Sequence, residues 1–132
     1  MKMRCILSLL LFSSCVEHFE ENELYGYYTP VGYSNNFDTL QLKPQALYHR
    51  KVYDAKRRLL LERDGKWEFI GGNGLALSGF YLNADDDLLK FPELAKDTVG
   101  GINTFFETHN GKIEFCGVGH YPDKNCYQKI DD

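Results

Sequence analysis

The chain has 132 residues, enough for one domain of ordinary size, and its 43% hydrophobic and 14% aromatic content can fill a core, which excludes wholesale disorder. The formal charge of -4 becomes more negative once Lys2 and Arg4 are set aside with the opening segment. Such an acidic domain is a poor match to nucleic acid.

The first 14 residues have the anatomy of a secretion signal: basic Lys2 and Arg4, an apolar stretch from Cys5 to Phe12, then small Ser13 and Ser14. That apolar stretch is far too short to span a bilayer. The small pair directly before Cys15 resembles the lipobox of bacterial lipoproteins. The resemblance implies removal of residues 1–14, palmitoylation of Cys15 as the membrane anchor, and residence at the bacterial outer membrane, on its periplasmic or outer face. Residues 15–23 then read as the lipidated cysteine and a solvated acidic tether, since Val16 to Glu23 carries four glutamates and little that could pack. Residues 24–132 form the domain.

Within the domain, short strand-like runs follow one another. They cover residues 24–28, 38–43, 47–54, 59–62, 66–70, 75–82, 101–109 and 112–118, with "NCYQKI" closing the chain. "DTLQLK" alternates Leu40 and Leu42 with Thr39 and Gln41, and "KWEFI" alternates Trp67 and Phe69 with Lys66 and Glu68, so each buries one face. "RDG", "GGNG" and Asn110-Gly111 read as turns, the last being the strongest short hairpin signal. Only residues 85–97 look helical, and Pro92 limits that helix to a turn or two. The pattern predicts an all-β, antiparallel up-and-down meander of about eight or nine strands, either a closed barrel or a flattened sandwich, with the barrel favoured because closure removes exposed edges.

Gly26-x-Tyr28, "DTLQL", "YHRKVYD" and Gly65-x-Trp67 together resemble the first half of a small lipocalin-like domain found in uncharacterised bacterial lipoproteins. The resemblance covers residues 24–70 and implies a β-barrel that acts by binding.

Cys116 and Cys126 flank a turn cluster centred near Tyr121, which sets them opposite each other and predicts a cross-strand disulfide in an oxidising compartment. The rival is a metal site drawing on His109, Cys116, His120 and Cys126, whose spacing matches no compact zinc pattern. His18 and His49 complete the histidines, and no H-E-x-x-H or G-x-S-x-G occurs. "GGNG" lacks the Lys-Ser/Thr of a phosphate loop. "NADDD" from Asn83 to Asp87 lacks both the calcium-loop glycine, replaced by Leu88, and the twelfth-position glutamate, replaced by Leu94. The expectation is a protein without catalytic residues, cofactor or metal.

On a strand, Tyr48, Arg50 and Val52 share one face, so an inward Tyr48 and Val52 carry Arg50 inside with them. A buried guanidinium needs a carboxylate, an aromatic face such as Tyr28 or Trp67, or the anionic group of a ligand. Tyr28, Arg50 and Trp67 are therefore the candidate ligand-binding residues. Two binding functions compete: a small apolar or amphipathic ligand inside the barrel, or a protein partner on the outer surface, such as a toxin to be neutralised or an envelope receptor to be masked. An accessory structural role in the envelope is the third reading.

Overall fold

The computed structural model describes residues 16–31, 36–81, 87–96, 100–117 and 126–130. Cys15 and the signal segment lie outside these residues, as do most of "NADDD" and the turn cluster around Tyr121 with His120. Eight strands, β1 (Gly26–Pro30), β2 (Asn36–Lys43), β3 (Leu47–Asp54), β4 (Leu59–Ile70), β5 (Gly74–Ser78), β6 (Gly101–His109), β7 (Lys112–Cys116) and β8 (Cys126–Lys129), follow one another around a closed antiparallel barrel. β1 pairs with β8, with Tyr28 opposite Lys129, so the up-and-down meander leaves neither terminal strand as an open edge. No helix among the described residues is long and apolar enough to cross a membrane.

Eight strands stand where nine runs were expected because "RDG" is not a turn. Arg63, Asp64 and Gly65 continue β4, pairing with Arg50, His49 and Tyr48 of β3, and from Trp67 onward the same strand pairs with β5. The glycine serves packing. A Cβ on Gly65 would stand 2.2 Å from Tyr48 Cζ, so only a bare backbone lets the Tyr48 ring lie across β4. Tyr48 then reaches over to donate its hydroxyl to the Ser78 carbonyl at 2.6 Å.

The expected inward residues Leu40, Leu42, Tyr48, Val52 and Trp67 are buried, and Phe69 is half-buried against them. Rings from opposite walls meet in a continuous chain. Tyr48 touches Phe80 at 6.1 Å, Phe80 touches Tyr127 at 5.6 Å, and Tyr127 stacks on Phe115 at 5.2 Å. Phe115 in turn meets Tyr28 at 5.6 Å and Phe106 at 5.9 Å. At one end, where the β2–β3, β4–β5 and β6–β7 turns lie, a 3-10 helix at Glu21–Leu24 buries Leu24 completely. At the other end a single-turn helix α1 (Asp87–Lys90) and a following 3-10 turn (Pro92–Lys96) form the expected short insertion, with Leu88 packed on Val52 and Leu61.

The acidic segment after Cys15 keeps its four glutamates exposed, as a solvated tether would, but it is docked on the barrel. Phe19 packs edge-on to Phe106 at 6.2 Å and its N–H donates to the Gly72 carbonyl at 2.8 Å. Glu17 accepts from the Thr108 N–H at 3.1 Å and its hydroxyl at 2.5 Å, and Lys129 Nζ donates to the Glu23 carbonyl at 2.7 Å. One aromatic residue among the acids, with backbone and carboxylate partners on the barrel, is enough to lay the segment down as a strap.

Candidate functional site

Arg50 lies inside, as its strand parity requires, and is 1% exposed. Its Nε and Nη2 donate to the two oxygens of Asp38 at 3.0 and 2.7 Å, a two-pronged pairing that suits a planar guanidinium. Nη2 also donates to the Tyr127 hydroxyl at 3.0 Å, and that hydroxyl donates to Asp38 Oδ2 at 2.6 Å. Nη1 donates to the Tyr81 carbonyl. The guanidinium carbon sits 4.1 Å from the centre of the Phe80 ring. Burial works against the charge, but Asp38 and the polarised Tyr127 hydroxyl outweigh it and hold the group more firmly protonated than an arginine in water. All three nitrogens of the guanidinium that was a candidate for a ligand therefore donate to acceptors of the protein itself.

Tyr28 and Trp67 are equally committed. The Tyr28 hydroxyl donates to the Leu24 carbonyl at 2.8 Å, and burial drives its pKa well above the ordinary phenol value. Trp67 donates its indole N–H to the Lys43 carbonyl at 2.9 Å, closing the β2–β3 turn, while Tyr25 packs edge-on to its ring at 6.1 Å. Both belong to the main core cluster, whereas Arg50 anchors a polar network beside it. The expected carboxylate partner of Arg50 is Asp38, but the aromatic face is Phe80 and not Tyr28 or Trp67, whose rings lie elsewhere in the core. Asp38 was legible in the parity of "DTLQL", which puts it on the face of Leu40 and Leu42. Phe80 and Tyr127 are distant in sequence and had no signal.

Cys116 and Cys126 are paired directly across β7 and β8 and form the expected disulfide. Glu114 shares their outward face, its carboxylate within 4.8 Å of both sulfurs. With the sulfurs bonded to each other, that group retains only a carboxylate as a metal ligand. Burial raises the Glu114 pKa, His109 opposes this, and Glu107 across the strand adds to it.

The outer face of β2, β3 and β4 is chemically varied. Phe37, Tyr53 and Leu59 stand side by side in register, Phe37 and Leu59 exposed, with the Arg57 guanidinium 4.4 Å above the Phe37 ring. Asp54 shapes the adjoining turn by accepting from the N–H groups of Lys56 and Arg58, each at 2.9 Å, and from Arg58 Nε at 2.7 Å. Further along the same face, His49 lies 3.3 Å from Glu62 and 2.7 Å from Asp64, and Lys51 lies 3.6 Å from Glu62. A small cleft of about 130 Å³ opens beside them, lined by Tyr27, Thr39, Gln41, His49 and Lys51. An aromatic ridge, paired charges and amide groups thus lie side by side on one sheet face, where they present directional donors and acceptors to solvent. Compared with family models, curated proteins and solved structures, the chain matches none of them.

Proposed function

We propose that the protein is a lipocalin-like lipoprotein, anchored through Cys15 in the bacterial outer membrane, that acts by binding and not by catalysis. Recognition falls on the outer face of β2, β3 and β4, and the occupant is a protein partner of the cell envelope or a toxin. The observation that carries this reading is the state of Arg50. The inward cation that would have held the anionic end of an amphipathic ligand is spent on Asp38, Tyr127, the Tyr81 carbonyl and Phe80. An eight-stranded barrel has an interior that side chains can fill, and aromatic rings span this one from Tyr48 to Phe106.

The exposed ridge of Phe37, Tyr53 and Leu59 supplies what an interface centre needs: aromatic and aliphatic surface flanked by charge. Photocrosslinking in the native envelope tests this. A benzophenone side chain at Leu59 should give one discrete protein adduct, and one at Glu68, on the outer face near the β4–β5 turn, should not. A diffuse smear from both positions, or none from either, contradicts the reading.

A further inference from the structure

The strap has a consequence for how the barrel meets the lipid surface. Glu17 is already bonded to Thr108, and Glu17 is only two residues beyond Cys15. Two residues of extended chain reach at most about 7 Å. An acyl chain on Cys15 is therefore tied within that reach of the Glu17 backbone, whose side chain is held by Thr108 at the end with the β2–β3, β4–β5 and β6–β7 turns.

The surface at that point carries exposed apolar side chains beside the carboxylates of Glu17 and Glu107. Val16 is 56% exposed and Phe105 is 53% exposed, and both line one cleft with Asn73 and Glu107. Ile70, 49% exposed, pairs in register with Gly74, and Gly74 pairs with Phe105. Ile70 and Phe105 thus flank a glycine that adds no side chain between them, and Val16 continues the patch towards the anchor. At the same end Lys43 and Lys66 flank exposed Leu47 in register, and Lys112 begins β7 beside the β6–β7 turn. Long basic side chains beside apolar ones suit a headgroup layer, where the stem packs and the ammonium meets phosphate. Glu107, at the edge of the cleft, limits the depth to the headgroup region.

From this we infer that the barrel is seated directly on the membrane by its strap end, with Val16, Ile70 and Phe105 in contact with lipid, and does not hang from a flexible leash. The inference rests on the lipid-anchor reading above. It presents the opposite end, with α1 and the β3–β4 turn, away from the membrane, and it leaves the Phe37–Tyr53–Leu59 ridge open to a partner.

The test uses the mature acylated protein in vesicles of phosphatidylethanolamine and phosphatidylglycerol, with brominated acyl chains as short-range quenchers. Trp67 is buried and supplies a constant background. In Phe105→Trp the introduced indole should be quenched by brominated lipid and shielded from aqueous iodide. In Leu59→Trp, at the far end, the two responses should be reversed. Ile70→Asp, added to Phe105→Trp, should lower the lipid quenching about fivefold, the scale set by losing half a buried aliphatic side chain, with the acyl mass on Cys15 unchanged. Equal lipid quenching of Phe105→Trp and Leu59→Trp in a chain whose mass carries the acyl groups overturns the seat and leaves the anchor standing. A mature chain without acyl mass on Cys15 overturns both. Iodide shielding that persists in the unacylated Cys15→Ser chain, together with dimer in sedimentation, shows a second copy on the patch and also overturns the seat.

Discussion

Asp38→Asn removes one negative charge from the barrel interior with almost no change in shape. Asp38 is buried, and its two oxygens accept three hydrogen bonds, two from Arg50 and one from Tyr127. The asparagine retains one carbonyl acceptor, but its NH2 group now faces donors of Arg50, so a buried cation loses its countercharge and one of its acceptors. Breaking a buried pair by removing one partner costs about 3 to 5 kcal/mol. The Phe80 ring and the Tyr81 carbonyl still hold the guanidinium, which places the expected loss near the lower limit, about 3 kcal/mol. With a urea dependence of about 1 to 3 kcal/mol per molar, the unfolding midpoint should fall by about 1 to 3 M. Arg50→Leu combined with Asp38→Leu removes both charges and should recover most of that loss, because an apolar replacement of a buried pair is often near neutral. A loss below about 1 kcal/mol for Asp38→Asn, or a double variant as unstable as the single one, would refute the assignment of Arg50 to Asp38 as a desolvated pair.

Three further outcomes follow from the same geometry. Gly65→Ala should destabilise by about 1 to 3 kcal/mol through overlap with the Tyr48 ring, and Tyr48→Ala in the same chain should remove that extra penalty in a double-mutant cycle; independent effects would contradict the packing. Glu114 has a raised folded pKa, so its contribution is most favourable when protonated and is lost as pH rises through that folded value. Glu114→Gln should accordingly raise the thermal midpoint at neutral pH and lose its advantage below about pH 4, where the carboxyl is neutral in both states; a gain independent of pH points elsewhere. Reduction of the Cys116–Cys126 link should cost about 2 to 3 kcal/mol in the chain-entropy model, read as a shift of the urea midpoint against the oxidised chain, and no shift would place the bond outside the stabilising framework.

Strand parity made much of the interior legible. The alternation in "DTLQL", "YHRKVYD" and "KWEF" put Leu40, Leu42, Arg50, Val52 and Trp67 inside, because a period of two leaves no other choice once one face is buried. The same parity held Asp38, which pairs in register with Val52, one diagonal step from Arg50. "RDG" misled because turn-forming residues also occur where a strand must let a ring pass, and the ring belonged to Tyr48 on a neighbouring strand. The strap misled for a related reason. Its glutamates are exposed as expected, but Glu17 accepts from Thr108 and the Phe19 N–H donates to Gly72, and both of these partners lie far along the chain. Phe80 and Tyr127 reach Arg50 only through barrel closure, a long-range event that local pattern does not encode.

Native mass spectrometry of the mature protein released from its own envelope tests the claim of outer-face binding most directly. The account predicts an acylated chain with no stoichiometric small molecule, retaining one protein partner that is lost in Leu59→Asp and kept in Arg50→Gln wherever that variant folds. A small molecule retained one-to-one by the wild type, and released by Arg50→Gln with the fold intact, would contradict it and return the binding site to the barrel interior.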